Sequence, residues 1–278
     1  MTKRFSFEFF PPKTDVGRDN LRTTRKRLNA LGPDFFSVTY GAGGSTRDNT
    51  RDTILAMRSE GIAVAPHLSF GSDEEETIKQ LLQDYKSAGV DRIVALRGDV
   101  PSGMGAARLV YASELVEFIR RHFGDTFHIE VAAYPEIHPD AGSYDQDIYF
   151  LKQKFDAGAD SALTQYFYNP EAYFYFVERC RAHGIDQPIV PGLMPITNYT
   201  NLARFSRNCG ADIPRWIAKR LESYGDDSES VAKFGIEVVT KVGEKLLASG
   251  APGLHFYTMN QVEPTHTIWN NLRLSDQR

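Results

Sequence analysis

The sequence predicts an α/β fold, a single (β/α)8 TIM barrel with extra helices near the C-terminus. Short β-rich runs alternate with longer amphipathic runs about eight times along 278 residues, a normal length for such a barrel. The punctuation between them repeats. Ala88-Gly89-Val90-Asp91, Ala157-Gly158-Ala159-Asp160 and Ser249-Gly250-Ala251-Pro252 each separate a helical run from a strand run, with Gly where a helix ends in the left-handed conformation. Strand–helix units joined by short connections build a parallel sheet, and eight of them favour closure; a doubly wound open sheet is the alternative. No linker or low-complexity stretch interrupts the pattern, so residues 1–278 read as one domain.

Strands are expected over 5–10, 35–40, 63–67, 92–97, 128–133, 161–166, 188–192 and 254–258. Helices are expected over 18–31, 47–60, 73–88, 111–123, 144–157, 171–183, 199–209 and 228–248, with a short one over 263–272 closing the chain. The first strand is the most informative. Glu8 sits among Phe5, Phe7, Phe9 and Phe10, and Pro11-Pro12 ends the run. Burial of a carboxylate in an apolar strand raises its pKa and fits it to proton transfer; strand alternation that turns Glu8 towards water is the competing reading.

Bulk composition narrows the function classes. The net charge is −4, from 32 basic and 36 acidic residues, which argues against a nucleic-acid or membrane partner. Two cysteines, Cys180 and Cys209, are too few for a disulfide framework or a thiolate metal site and suit a reducing cytoplasm. No run of ~18 apolar residues occurs, and none follows the first residues. A cytoplasmic enzyme without a metal is the expectation.

In a barrel the chemistry gathers where strands end and loops begin. Those ends carry Glu8, Thr39-Tyr40, Pro66-His67, Arg97-Gly98-Asp99, Tyr134-Pro135-Glu136-Ile137-His138, Thr164-Gln165, Pro191-Gly192 and His255 through Asn260. Polar groups converging from so many strands read as a pocket. Arg97 and Asp99 flank a Gly that allows close approach of a ligand, or form a local ion pair. His67 has no second His at ligand spacing and reads as a hydrogen-bonding group, and His138 as a loop His. The run Gly41-Ala42-Gly43-Gly44-Ser45-Thr46 lacks the third Gly of a dinucleotide fingerprint, and Ser45 or Thr46 more plausibly caps the next helix. The aromatics from Tyr166 to Phe176 could stack on a flat ligand, though much of the group suits core packing. These residues alone describe a barrel enzyme with a planar, polar substrate.

In order along the chain, Phe7-Glu8-Phe9-Phe10-Pro11-Pro12-Lys13, Ser37-Val38-Thr39-Tyr40, Ala65-Pro66-His67-Leu68, Leu96-Arg97-Gly98-Asp99, Tyr134-Pro135-Glu136-Ile137-His138-Pro139, Thr164-Gln165 and His255-Phe256-Tyr257-Thr258-Met259-Asn260 resemble the 5,10-methylenetetrahydrofolate reductase family. The resemblance runs from Phe5 to Asn260 and is to the short bacterial form, with no regulatory domain. It implies a flavin barrel in which NADH or NADPH reduces FAD, and reduced FAD passes a hydride to methylenetetrahydrofolate, giving 5-methyltetrahydrofolate for methionine biosynthesis. It also implies ping-pong kinetics and a homodimer or homotetramer.

By the same resemblance Glu8 matches the general acid that opens the folate ring to an iminium, and Asp99 the anion that stabilises it. Gln165 matches the residue that binds the pterin. The flavin positions are Thr39, His67, Arg97, Gly98, Asp99, Ala112, Tyr134, His138, Ala141, Asp147 and Lys154, with Arg97 and Lys154 facing the diphosphate. Phe205 matches the aromatic that stacks on either substrate, and Asn201 and Gln261 fall at substrate positions. Gln261 replaces an Arg of some relatives, and Asn201, Phe150 and Gln153 also differ from a bacterial relative; Phe150 and Gln153 are left outside the expected site. A flavin-free C1 transferase and a folate-binding barrel without turnover are the other classes this resemblance admits.

Overall fold

A computed structural model describes residues 3–40, 47–70, 74–98 and 111–277. Eight parallel strands close into one barrel in sequence order: β1 Arg4–Phe9, β2 Phe35–Val38, β3 Val64–Leu68, β4 Arg92–Ala95, β5 His128–Ala133, β6 Ser161–Tyr166, β7 Ile189–Leu193 and β8 Gly253–Tyr257. Helices α1 Asp15–Asn29, α2 Arg47–Ser59, α3 Glu75–Ser87, α4 Ala112–Phe123, α5 Tyr144–Asp156 and α6 Pro170–Ala182 follow the first six strands in turn. Three helices, α7 Tyr199–Cys209, α8 Arg215–Tyr224 and α9 Ser228–Ala248, lie between β7 and β8, and α10 Thr265–Asn271 follows β8. The closed barrel replaces the open-sheet alternative: β1 pairs with β2 on one side and β8 on the other, with Ser6 opposite His255 and Glu8 opposite Tyr257.

Alternation along β1 decides the fate of its residues. Phe5, Phe7 and Phe9 point outward under the helices, where Phe7 lies 5.3 Å from Trp269 of α10 and Phe9 stacks on Phe36 at 5.1 Å. Ser6 and Glu8 therefore point into the barrel. Inside, a separate apolar layer of Phe35, Ala65, Val94, Leu163 and Val190 fills the middle. Below it, at the N-terminal ends of β4–β6, Glu130 is ion-paired with Arg92 and accepts a hydrogen bond from Ser161 Oγ at 2.6 Å.

The helix ends follow the sequence signals. Ser143 caps α5 and Asn169 caps α6 through their side chains, and Gly89 and Gly250 sit at φ 76° and 87° just past α3 and α9. One helix was not among those expected from sequence. No element is expected over residues 210–227, yet Ile217 and Leu221 form a buried i, i+4 pair that folds α8 against α9. Helix α7 also departs from a simple flank helix. Tyr166 Oη at the end of β6 meets Ser206 Oγ at 3.0 Å, and the Asp212 N–H reaches the loop after β5 at 2.8 Å. So α7 crosses the C-terminal rim of the barrel.

Candidate functional site

At the C-terminal ends of the strands a cavity of about 580 Å³ opens. Its floor is built by side chains that alternation turns inward: Glu8, His67, Gln165 and Tyr257. Its wall is the loop after β5, the first turn of α4 and one face of α5, which bring Tyr134, His138, Ala141, Ala112, Asp147 and Lys154 together with Thr39 and Arg97. Eleven of the family-matched positions thus converge on one space from six strands and the segments that follow them.

Glu8 is 8 % exposed, and its Oε2 lies 3.3 Å from His67 Nε2 and 3.5 Å from His255 Nε2. Ser37 Oγ donates to the same oxygen at 3.4 Å. Fully buried His255 is held by Ser6 Oγ at 2.7 Å from Nδ1 and by the edge of Tyr257, ring centroids 5.2 Å apart. Burial raises the Glu8 carboxyl, but His67 and His255 together outweigh it and hold the group at about 2. This corrects the expectation of a raised pKa. The sequence shows the Phe neighbours, which face away, and hides the two histidines, which arrive from β3 and β8. Neither solvent-facing nor unpartnered, Glu8 is an ionised carboxylate in a buried cluster with two imidazoles.

The end of β1 is tied down by the loop after β8. Thr258 Oγ1 donates to Glu8 O at 2.6 Å; Asn260 accepts from the Phe10 N–H at 2.8 Å and donates to Phe10 O at 2.9 Å. The Thr258-Met259-Asn260 motif is thus a clamp on the strand that carries Glu8.

The opposite wall is cationic. Lys154 donates to Ala132 O at 2.8 Å, and burial pulls its ammonium down to about 8, with Asp147 opposing and Arg97 adding to the shift. Arg97 pairs with Asp140 of the loop after β5. The His138 N–H donates to Asp147 at 2.9 Å, while His138 Nδ1 accepts from the Asp140 N–H at 3.0 Å. Burial and the Arg97 charge lower the His138 pKa, so its neutral ring carries its proton on Nε2. Thr39 Oγ1 is buried without a hydrogen-bond partner where it lines the cavity. A buried hydroxyl left unsatisfied and two cations on one wall are what a large, polar, diphosphate-bearing ligand would satisfy. The wall fits such a group.

The other expected residues fall elsewhere. Gly98 follows Arg97 half-buried, and Asp99 lies outside the described residues, as does the Gly41–Thr46 turn. Asn201 and Phe205 sit on α7 and Gln261 in the exposed loop after β8, none of them among the cavity-lining residues. Conversely Phe150 and Gln153, left outside the expected site, do line the cavity, and the exposed rings of Phe150 and Tyr111 lie parallel, 6.3 Å apart, at its edge. Their legible signal was the i, i+3, i+4, i+7 spacing that puts Asp147, Phe150 and Lys154 on one face of α5. Tyr166, Phe167, Tyr168, Tyr173 and Phe176 are buried packing residues. Among the described residues no group of three or more His, Cys, Asp or Glu is disposed to hold a metal ion, and no helix is long and apolar enough to cross a membrane.

The family model described as methylenetetrahydrofolate reductase matches residues 1–273. A 5,10-methylenetetrahydrofolate reductase of Escherichia coli K12 is 39% identical over 268 residues, covering 96% of this chain and 90% of the relative. A probable methylenetetrahydrofolate reductase (NADH) of Oryza sativa subsp. japonica is 41% identical over 288 residues, covering 98% of this chain and 48% of the relative. The chain therefore spans about half the length of such plant relatives. Among solved structures, an uncharacterized protein from Clostridium thermocellum that binds two copies of 5-methyl-5,6,7,8-tetrahydrofolic acid superposes with a TM-score of 0.67 at 18% identity, over 99% of this chain and 95% of the other. That likeness bears on the fold. With a family model matched over nearly its whole length and relatives near 40% identity, the chain belongs to the methylenetetrahydrofolate reductase family.

Proposed function

We propose that the chain reduces 5,10-methylenetetrahydrofolate to 5-methyltetrahydrofolate with electrons from NADH or NADPH, using FAD held in the cavity. The observation that carries this reading is the pairing of a buried carboxylate–imidazole cluster on the cavity floor with a cationic wall beside it. Arg97 and Lys154 would hold the diphosphate, and Thr39, His67, Tyr134, His138 and Asp147 the remaining polar groups of the cofactor, with Gly98, Ala112 and Ala141 allowing close approach. Bound FAD would supply a two-electron carrier that one substrate charges and the other discharges.

What this chain's own residues do is handle protons and charge. Gln165 lines the floor beside Glu8 and offers a neutral amide to the pterin edge. Glu8 is ionised in the free site, so to act as an acid it must first take up a proton; His67 and His255 are the nearest groups able to pass one. Delivered to a folate nitrogen, that proton opens the five-membered ring to a cationic iminium. Asp99 is assigned to stabilise that cation, and Phe205 to stack on the substrate from α7, with Asn201 and Gln261 towards the folate tail. The test is an anaerobic titration of the purified protein with NADH and NADPH in parallel. A yellow protein that bleaches with one nucleotide and recovers its colour on methylenetetrahydrofolate is expected; a colourless protein that takes up no FAD overturns the reading.

A further inference from the structure

Glu136 is not among the cavity-lining residues, yet it joins the two segments on which the proposed chemistry depends. It stands between Tyr134 and His138, both cavity residues, in the loop after β5. Its carboxyl reaches across 76 residues to accept the Asp212 N–H at 2.8 Å in the turn that follows α7. The same contact is close-packed on both sides. A Cβ added at Gly210, which sits at φ 75°, would meet Pro139 Cγ at 3.1 Å and Ile137 O at 3.4 Å. Ile137 itself is held at φ 70°, a conformation a β-branched residue adopts only where its surroundings impose it.

We propose that Glu136 is a positioning residue whose carboxyl clips α7, and with it Phe205, across the rim of the cavity to the loop that holds the cofactor. The proposal rests on the reading of Phe205 as the residue that stacks on the folate substrate. The polar contacts that hold α7 at this end are those of Tyr166 Oη with Ser206 Oγ at 3.0 Å and with Cys209 Sγ at 3.5 Å, and the Glu136 clip. Removing the clip leaves the helix attached to β6 and touching the loop after β5 only through the packing of Gly210 on Pro139 and Ile137.

The clip is also sensitive to pH near neutrality. Burial lifts the Glu136 carboxyl to about 7; the Asp212 N–H pulls it down, and the Asp212 carboxylate pushes it up. The charged or titratable groups facing it are Asp212 from the turn after α7 and Tyr166 from β6. Because the clipped state favours the proton, ionisation favours release, and the clip loosens as pH rises through that value.

Two readouts test the proposal in the full-length protein: amide hydrogen exchange over residues 209–213 without ligand, and the folate concentration dependence of the oxidative half-reaction. Glu136→Ala is expected to speed exchange there by roughly tenfold and raise the folate KM by roughly three- to tenfold, with the rate at saturation little changed. Glu136→Gln keeps the acceptor and is expected to hold protection flat from pH 6 to 8 after correction for intrinsic exchange, where wild type loses it. Unchanged exchange in both variants overturns the clip. Faster exchange with an unaltered folate KM overturns the positioning role. Should the protein take up no flavin, the proposed function fails separately; the exchange arm stands, and calorimetric folate affinity replaces the kinetic arm. If Glu136→Ala does not fold, the Glu136→Gln pH profile decides alone: a wild-type profile overturns the proposal.

Discussion

At the scale of single residues, the chemistry turns on a carboxylate whose environment the strand alternation dictates. Phe5, Phe7 and Phe9 turn to the helix side of β1 and leave Glu8 inside the barrel, where His67 and His255 settle its charge. Replacing His67 by Ala removes one of the two groups that oppose burial. The Glu8 carboxyl is then expected to titrate higher by about one unit or more, read as its protonated C=O band in infrared difference spectra against Glu8→Gln. A midpoint that stays put would show that His67 does not set the charge. A second expectation follows from the role proposed for Asp99: if its charge stabilises the cationic iminium, Asp99→Asn should slow folate reduction more than reduction of the flavin. Equal slowing of both half-reactions in separate stopped-flow runs would count against it.

At the scale of elements, what could be read from the sequence was what local pattern controls. The eight strands, and the helices that follow the first six, lie where the periodicity puts them, and their ends differ from expectation by at most three residues. The misses are non-local. Helix α8 is only ten residues long and begins at a Pro, so its two buried residues carried too little periodicity to stand out. His255 was visible as a strand residue, but its partner Ser6 lies 249 residues away, and pairing across the barrel's closing seam leaves no local mark. Phe150 and Gln153 were set aside because their side chains differ from a relative's, whereas their position on the face of α5 shared with Asp147 and Lys154 is what places them. Gly192 in β7 shows how tightly these elements meet. An added Cβ would stand 2.3 Å from Thr164 O and 2.7 Å from the Tyr257 ring. Gly192→Ala is expected to cost about 1–3 kcal/mol in denaturant unfolding and to weaken ligand binding by displacing Tyr257. Wild-type stability in that variant would mean that β6, β7 and β8 can separate at no cost.

Over the whole molecule, two polar clusters lie inside one barrel, separated by the apolar layer of Phe35, Ala65, Val94, Leu163 and Val190. The upper one does chemistry in the reading above; the lower one, Glu130 with Arg92, His128 and Ser161, plugs the N-terminal end. Burial raises the Glu130 carboxyl, but His128, Arg92 and Ser161 prevail and lower it from 4.5 to about 2, a difference of about 3 kcal/mol between its two protonation states. A depressed folded-state value means stability that is present above pH 4.5 and lost as the pH falls towards 2. Urea midpoints are therefore expected to fall between pH 5 and pH 3 more steeply in wild type than in Glu130→Gln, which starts lower at pH 7 because Arg92 is left unpaired. Parallel profiles would remove the lower cluster from the stability of the barrel.

The most direct measurement is anaerobic stopped flow on wild type and Glu8→Gln, with each half-reaction followed by flavin absorbance. Bleaching by NADH or NADPH should be nearly unchanged in the variant, because hydride transfer from nicotinamide needs no proton from this carboxyl. Recovery of colour on methylenetetrahydrofolate should slow by about 100-fold or more. Equal loss in both half-reactions, or recovery at the wild-type rate, would contradict the role of Glu8 as the group that delivers the proton to folate.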